Sequence, residues 1–181
     1  MPLVGIGDLF LGRILKFGGF PPHAFYDAVF RVDKAGTVYA DGDYQVGGAD
    51  VAEYIDASDA VAPGDVVEID PEAEGQFRVA ATANSPLVAG VISTDPGVSL
   101  SAQGGADAED TRPQLALAGT TPVKVCDENG AIEPGDLLVA SSVAGHAMAA
   151  PADPAPGAVI GKALGSLETG SGVMRMLVMM R

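Results

Sequence analysis

Tryptophan is absent from the 181 residues, and cysteine occurs once, at Cys126. A single cysteine excludes an intrachain disulfide. It lies in the apolar run Val123-Lys124-Val125-Cys126, where it reads as a small core residue and not as a nucleophile. His23 and His146 are the only histidines, and neither has the ligand company that a zinc site needs. The chain carries no phosphate-cradling glycine loop and no nucleophile elbow, and nothing nominates a Ser-His-Asp triad. No metal and no cofactor are expected.

Basic residues are scarce. Ten Lys and Arg stand against 24 Asp and Glu, for a formal net charge of -14. Phosphate contacts need Lys and Arg, so this balance speaks against nucleic acid and against an anionic membrane surface. Solubility, or a salt-rich habitat, is the simple reading of the excess. A long uninterrupted hydrophobic run is missing as well. Leu3 to Phe20 is apolar but carries Asp8, Arg13, Lys16 and five glycines, which excludes a bilayer helix. The basic residues fall inside that run and not before it, unlike a cleaved signal peptide. Leu9, Phe10, Leu11, Ile14, Leu15 and Phe17 are too many apolar groups for free solvent. Residues 1–27 therefore read as a docking element, helical or stranded, that packs on the body or on a neighbouring subunit.

What is abundant is punctuation: 24 Gly and 13 Pro among 48% hydrophobic residues. Short apolar runs between frequent turns predict a mainly β protein. Ala28-Val29-Phe30-Arg31-Val32-Asp33 and Thr37-Val38-Tyr39-Ala40-Asp41-Gly42 flank Lys34-Ala35-Gly36, which predicts a β-hairpin within residues 28–46. Phe20-Pro21-Pro22-His23 reads as a linker.

Residues 47–181 contain an internal repeat. Pro63-Gly64-Asp65-Val66-Val67 recurs as Pro134-Gly135-Asp136-Leu137-Leu138, an offset of 135 − 64 = 71. Val88-Ala89-Gly90-Val91-Ile92 recurs as Val159-Ile160-Gly161-Lys162-Ala163 at the same offset, as do Asp56 and Asp127. Gly75 to Val79 corresponds to Gly145 to Ala149, one residue out of register. Two copies, about 56–92 and 127–163, predict one barrel-like domain of two repeated halves. In each half a Pro-Gly turn feeds a strand, and Gly90 or Gly161 marks a bulge or close backbone contact. Asp65 and Asp136 are explained by turn chemistry. Between the halves, Ser101 to Thr111 reads as a polar, acidic loop, and Leu115–Gly119 and Thr121–Val125 as two strands. Pro151 to Pro156 is a stiff loop. The methionines of the last eight residues read as core or subunit packing.

The chemistry-bearing stretch is Gly47-Gly48-Ala49-Asp50-Val51-Ala52-Glu53-Tyr54. Asp50 and Glu53 are three apart, so they share a face only on a helical turn or at a bulge. Spacing leaves two readings. One is a capping box, with Asp50 the N-cap and Glu53 its N3 partner. The other is a carboxylate pair that supplies both an acid and a base.

Gly48-Ala49-Asp50-Val51-Ala52-Glu53-Tyr54 resembles the opening signature of the auto-cleaving C-terminal chaperone domain of phage neck-appendage and tail-spike proteins, the peptidase G2 family. The resemblance extends over roughly residues 28 to 181 by motif spacing, and its sharp part is this stretch. It implies a catalytic pair at Asp50 and Glu53, a scissile bond at Ala49-Asp50 and single-turnover, glutamic-type self-cleavage. Ala49 stands where some members carry Ser, and Val51 where they carry an aromatic residue. The family further implies a trimeric fibre or spike whose assembly the domain assists, on a virion, phage-like particle or extracellular structure, with a cytoplasmic stage before assembly. Phe30-Arg31-Val32-Asp33 and Gly36-Thr37-Val38-Tyr39-Ala40-Asp41-Gly42 resemble the repeat that runs into such domains in tail fibres. The second half, with Pro134-Gly135-Asp136-Leu137-Leu138, also resembles β-barrel decoration proteins of phage heads. That supports an alternative: a non-catalytic trimeric module of a fibre or capsid-like assembly.

Overall fold

The computed structural model describes residues 8–18, 23–43, 45–103 and 110–179, with side chains from residue 30 onward. The predicted linker residues 20–22, the start of the apolar segment, residues 104–109 of the acidic loop and Met180 lie outside the described residues. Among the described residues every regular element is a strand, so the capping-box reading of Asp50 has no helix to cap. Among the described residues no helix is long and apolar enough to cross a membrane.

The chain divides into two compact units, residues 1–45 and 46–181. In the first, β1 (Asp8–Gly18), β2 (His23–Asp33) and β3 (Val38–Ala40) form one antiparallel sheet in that order. The described part of the apolar N-terminal segment, Asp8–Gly18, is thus a strand and not a helix. Its partner β2 supplies the hydrogen bonds that its glycines would cost a helix. The predicted hairpin is β2 and β3, with Phe30 opposite Ala40 and Val32 opposite Val38. Asp33 fixes its turn: its Oδ1 accepts from the N–H groups of Ala35 and Thr37 at 2.9 and 3.0 Å. The Thr37 bond is the main reason the Asp33 carboxyl is held below its ordinary pKa.

The second unit runs β4 (Asp50–Tyr54), β5 (Asp56–Ala57), β6 (Val66–Ile69), β7 (Gln76–Val79), β8 (Val88–Val91) and β9 (Val98–Leu100). It continues with β10 (Gln114–Cys126), β11 (Leu137–Ala140), β12 (Ala147–Ala149), β13 (Val159–Ala163) and β14 (Ser171–Val178). Strands β12, β11, β13, β14 and β10 pair in sequence, and β12 returns to β10 through Val125 and Ala147. This closes a five-stranded barrel. A closed barrel leaves no free edges among its strands.

The first half repeats the plan with looser pairing. Sheet β5-β7-β6-β8 meets β10 through the Ile92–Leu115 bridge, and β10 in turn pairs β4. Val66 faces Val91 and Val67 faces Gly90, with a bulge before Glu68 faces Val88. Seventy-one residues on, Leu137 faces Lys162 and Leu138 faces Gly161, with the same bulge before Val139 faces Val159. The turns match too. Asp65 Oδ2 accepts from Ala62 N–H at 2.7 Å, and Asp136 Oδ2 from Glu133 N–H at 2.8 Å. Gly64 and Gly135 supply the positive φ (82° and 99°) that each Pro-Gly corner requires.

One strand, β10, serves both halves. Its N-terminal part pairs β4 and its C-terminal part pairs β14. Sequence reading expects two strands here, Leu115–Gly119 and Thr121–Val125. The chain instead passes through Gly119 at φ 105° without a break. Pro122 is tolerated inside β10 because Thr120 and Lys124 send their N–H groups to Ala49 and Gly64, on the side away from β14. Nitrogen alternates along a strand, so the Pro122 ring faces the gap between those two bonds, where no ladder bond is lost.

The barrel interior packs Val123, Val125, Ile132, Leu138, Ile160 and Met176, all at most 1% exposed. Each such side chain contributes about 1.5–3 kcal/mol by burial. Val67, Ala89 and Ile92 form the matching cluster of the first half. Cys126 is buried beside Val139, Met148 and Val159, as a core residue should be. Asn84, in the left-handed region at φ 54°, ties the halves: its N–H donates to Ala140 O, and its Oδ1 accepts from Ala155 N–H of the proline-rich loop.

Candidate active site

Asp50 opens β4, and its residue is only 6% exposed. Along β4 the burial alternates: Asp50 and Ala52 are buried, Val51 and Glu53 half-buried. The two carboxylates therefore leave opposite faces of the strand. The register shift of the β4–β10 ladder lies between Ala116 and Ala118, so the extra residue is on β10 and does not re-aim β4. The structure does not bring Asp50 and Glu53 together. Glu53 Oε1 instead accepts a short hydrogen bond from Ser101 Oγ.

Asp50 Oδ2 is buried with no hydrogen-bond partner. Its counterpart in the second half is 50 + 71 = 121, and Thr121 Oγ1 is likewise buried without a partner. The repeat thus turns a polar side chain inward at this position twice, and only the first copy makes it a carboxyl. An unpartnered buried polar atom costs free energy; Ser93 Oγ is a third among the described residues.

The Ala49–Asp50 peptide is held on both flanks by backbone. Ala49 O accepts from Thr120 N–H at 3.1 Å, and Asp50 O from Gly97 N–H at 2.8 Å. Three glycines permit this approach. A Cβ on Gly48 would lie 2.1 Å from Gly97 N, one on Gly97 2.7 Å from Gly48 O, and one on Gly119 2.3 Å from Ala49 O. Two shallow depressions open beside the bond. One, of about 220 Å³, is lined by Ala49, Asp50, Asp95, Thr120 and Arg175 among others. The second, of about 260 Å³, is lined by Ala49, Asp50, Val51, Val98 and Gly119 among others. Arg175, on β14, donates to Thr120 Oγ1. Asp95 and Arg175 lie 45 and 125 residues from Asp50 in sequence (95 − 50 and 175 − 50), so no local spacing reveals them. The Asp95-Pro96-Gly97 turn is the one signal that marks this region as shaped.

A larger cleft, of about 630 Å³, lies elsewhere, between Asp56, Asp59, Glu74, Gln76 and Arg112. It holds none of the residues singled out for cleavage. Its Arg112 is committed to Asp110, with Nη2–Oδ2 at 2.7 Å, and donates to Ser101 O at 2.9 Å. That guanidinium, followed by the Gln103 N–H, holds the Asp110 carboxyl far below the ordinary carboxylate range. A carboxyl depressed in the fold stabilises above its ordinary pKa, and the contribution is lost as pH falls through the depressed value. Asp110→Asn should therefore lower the urea midpoint at pH 7. Its deficit against the unsubstituted protein should narrow as the buffer is taken well below pH ~4. A deficit constant from pH 7 into that acid range would remove the ion pair as its cause.

No protein-family model matches the chain, and no curated protein matches it.

Proposed function

We propose that residues 46–181 are a self-processing chaperone domain of a trimeric fibre- or spike-like protein, which cuts the chain once between Ala49 and Asp50. The observation that carries this reading is the Ala49–Asp50 peptide itself: its carbonyl and the next one along the chain are both held by backbone N–H groups, crevices open beside it, and it adjoins a buried carboxyl with an unpartnered oxygen. The bond also lies four residues beyond the boundary of the compact units, at Gln45 and Val46. Cleavage there would part residues 1–49 from a β domain that keeps its own core. Asp50 is the acid nearest the bond and handles the proton of the attacking water. Fixed orientation within one chain supplies the rate advantage. Such a domain works on a virion, phage-like particle or extracellular fibre, after a cytoplasmic stage.

The position of Glu53 favours a second reading. Because the two carboxylates leave opposite faces of β4, the same fold also suits a non-catalytic trimeric module of a fibre or capsid-like assembly. An intact-mass time course on freshly purified protein, with its oligomeric state measured alongside, separates the two. Self-cleavage yields a 49-residue and a 132-residue product (181 − 49). A trimer whose chains stay whole over days leaves only the module.

A further inference from the structure

Hydrolysis of a peptide bond asks for more than one group. A carboxylate takes the proton of the water, and a donor or cation meets the charge that builds on the carbonyl oxygen. Glu53 is turned away with its carboxylate on Ser101. The crevice beside the bond offers other residues: Asp95 and Arg175 line it together with Ala49, Asp50 and Thr120. The Ala49 oxygen already accepts from Thr120 N–H at 3.1 Å, and the Arg175 guanidinium is tied to the hydroxyl of that same threonine. That bond holds the exposed Arg175 side chain to the strand whose N–H meets the Ala49 carbonyl.

Resting on the self-cleavage reading of this site, we propose that Asp95, and not Glu53, is the second carboxylate, and that Arg175 is the cation that offsets the charge developing on the Ala49 oxygen. The water oxygen bonds to the Ala49 carbonyl carbon as one of its protons passes to a carboxylate of the Asp50 and Asp95 pair. The tetrahedral carbon then expels the Asp50 nitrogen. The C–N bond breaks, and the nitrogen takes the proton back from the carboxylic acid. The products are a carboxyl on Ala49 and an amino group on Asp50. Water is the only co-reactant. Backbone N–H of Thr120 and the Arg175 guanidinium hold the oxyanion throughout.

The test compares cleavage rates, by intact mass, of the full chain with Asp95→Asn, Asp95→Glu, Glu53→Gln, Arg175→Gln and Arg175→Lys, at matched oligomeric state and with thermal midpoints recorded. Asp95→Asn should slow cleavage about 100-fold or more and remove one limb of the pH–rate profile, which a merely structural role would leave in place. Asp95→Glu keeps the carboxylate and should restore part of the rate. Arg175→Gln should slow cleavage about 10- to 100-fold, with partial rescue by lysine. Glu53→Gln should stay within about threefold of the unsubstituted chain. Unimpaired cutting by Asp95→Asn, or a Glu53→Gln chain that no longer cuts, overturns the assignment of Asp95. Unimpaired cutting by Arg175→Gln removes Arg175. In each of these cases the unsubstituted chain still cuts, so the self-cleavage reading survives. If the unsubstituted chain stays whole, that reading falls and the inference falls with it.

Discussion

Asp50→Ala should leave the chain at 181 residues while making it more stable, and the two effects together are the signature of a residue kept for chemistry. Asp50 buries a carboxyl whose Oδ2 has no partner. Leaving a buried polar atom unpaired costs about 1–3 kcal/mol. Truncation to Ala removes that cost and leaves only the small volume of one carboxyl group to be filled, so a net gain of about 1 kcal/mol in urea unfolding is the expected balance. On the self-cleavage reading, loss of the Asp50 carboxyl should at the same time slow cleavage at least about 100-fold. Asp50→Asn separates shape from chemistry. It keeps the volume, leaves a buried amide to satisfy, and should be uncut without the gain in stability. A destabilised Asp50→Ala beside an uncut unsubstituted chain would instead make Asp50 part of the fold, paired in the assembled protein.

The second large effect is expected at Gly119. A Cβ there would meet Ala49 O at 2.3 Å and Asp50 Cα at 2.8 Å, both backbone atoms that cannot rotate away. Its φ of 105° adds conformational strain to any other residue. Gly119→Ala must therefore push β4 off β10, breaking the ladder that runs from Gln114 opposite Tyr54 to Gly119 opposite Asp50. The expected loss is about 3–5 kcal/mol, in the range reserved for disrupted cores and networks. Gly130 is the control. Its φ is 94°, yet nothing lies within 4 Å of its would-be Cβ. Gly130→Ala should cost only the strain, about 1–2 kcal/mol. The difference between the two midpoints measures the close approach at Ala49. Equal midpoints would show that β4 and β10 separate cheaply, and the clamp on the Ala49–Asp50 bond would go with them. On the self-cleavage reading, Gly119→Ala should also stop cutting while Gly130→Ala does not.

Much of the architecture was legible in the residues. The 71-residue offset of Pro-Gly-Asp and of the Gly90 and Gly161 strands is matched by strand register, turn hydrogen bonds and bulge position. It could be read because turn geometry is local: Pro fixes φ, Gly takes the positive φ, and Asp closes the corner onto a nearby N–H. The apolar run Val123-Lys124-Val125-Cys126 likewise placed Cys126 inside, where the structure has it. The β2–β3 hairpin followed from the same local signals.

Long-range pairing was not legible. That β10 is one strand shared by both halves depends on partners on either side of it, β4 near Gly119 and β14 beyond, and no local pattern encodes which strand an edge will meet. The same holds at the site. The sequence by itself set Asp50, Glu53 and the glycines around Ala49 close together along the chain. Tertiary structure alone decided that Asp50 points inward while Glu53 points away, because β10 straightens this stretch into a strand and a strand alternates its faces. It also decided which residues share the crevice with the Ala49–Asp50 bond: Asp95 from the turn before β9, and Arg175 from β14. Spacing along the chain carries the residues of one turn or one strand. Residues 45 and 125 positions away (95 − 50 and 175 − 50) are brought together only by the closure of the sheet, whose free energy is spread over the whole core.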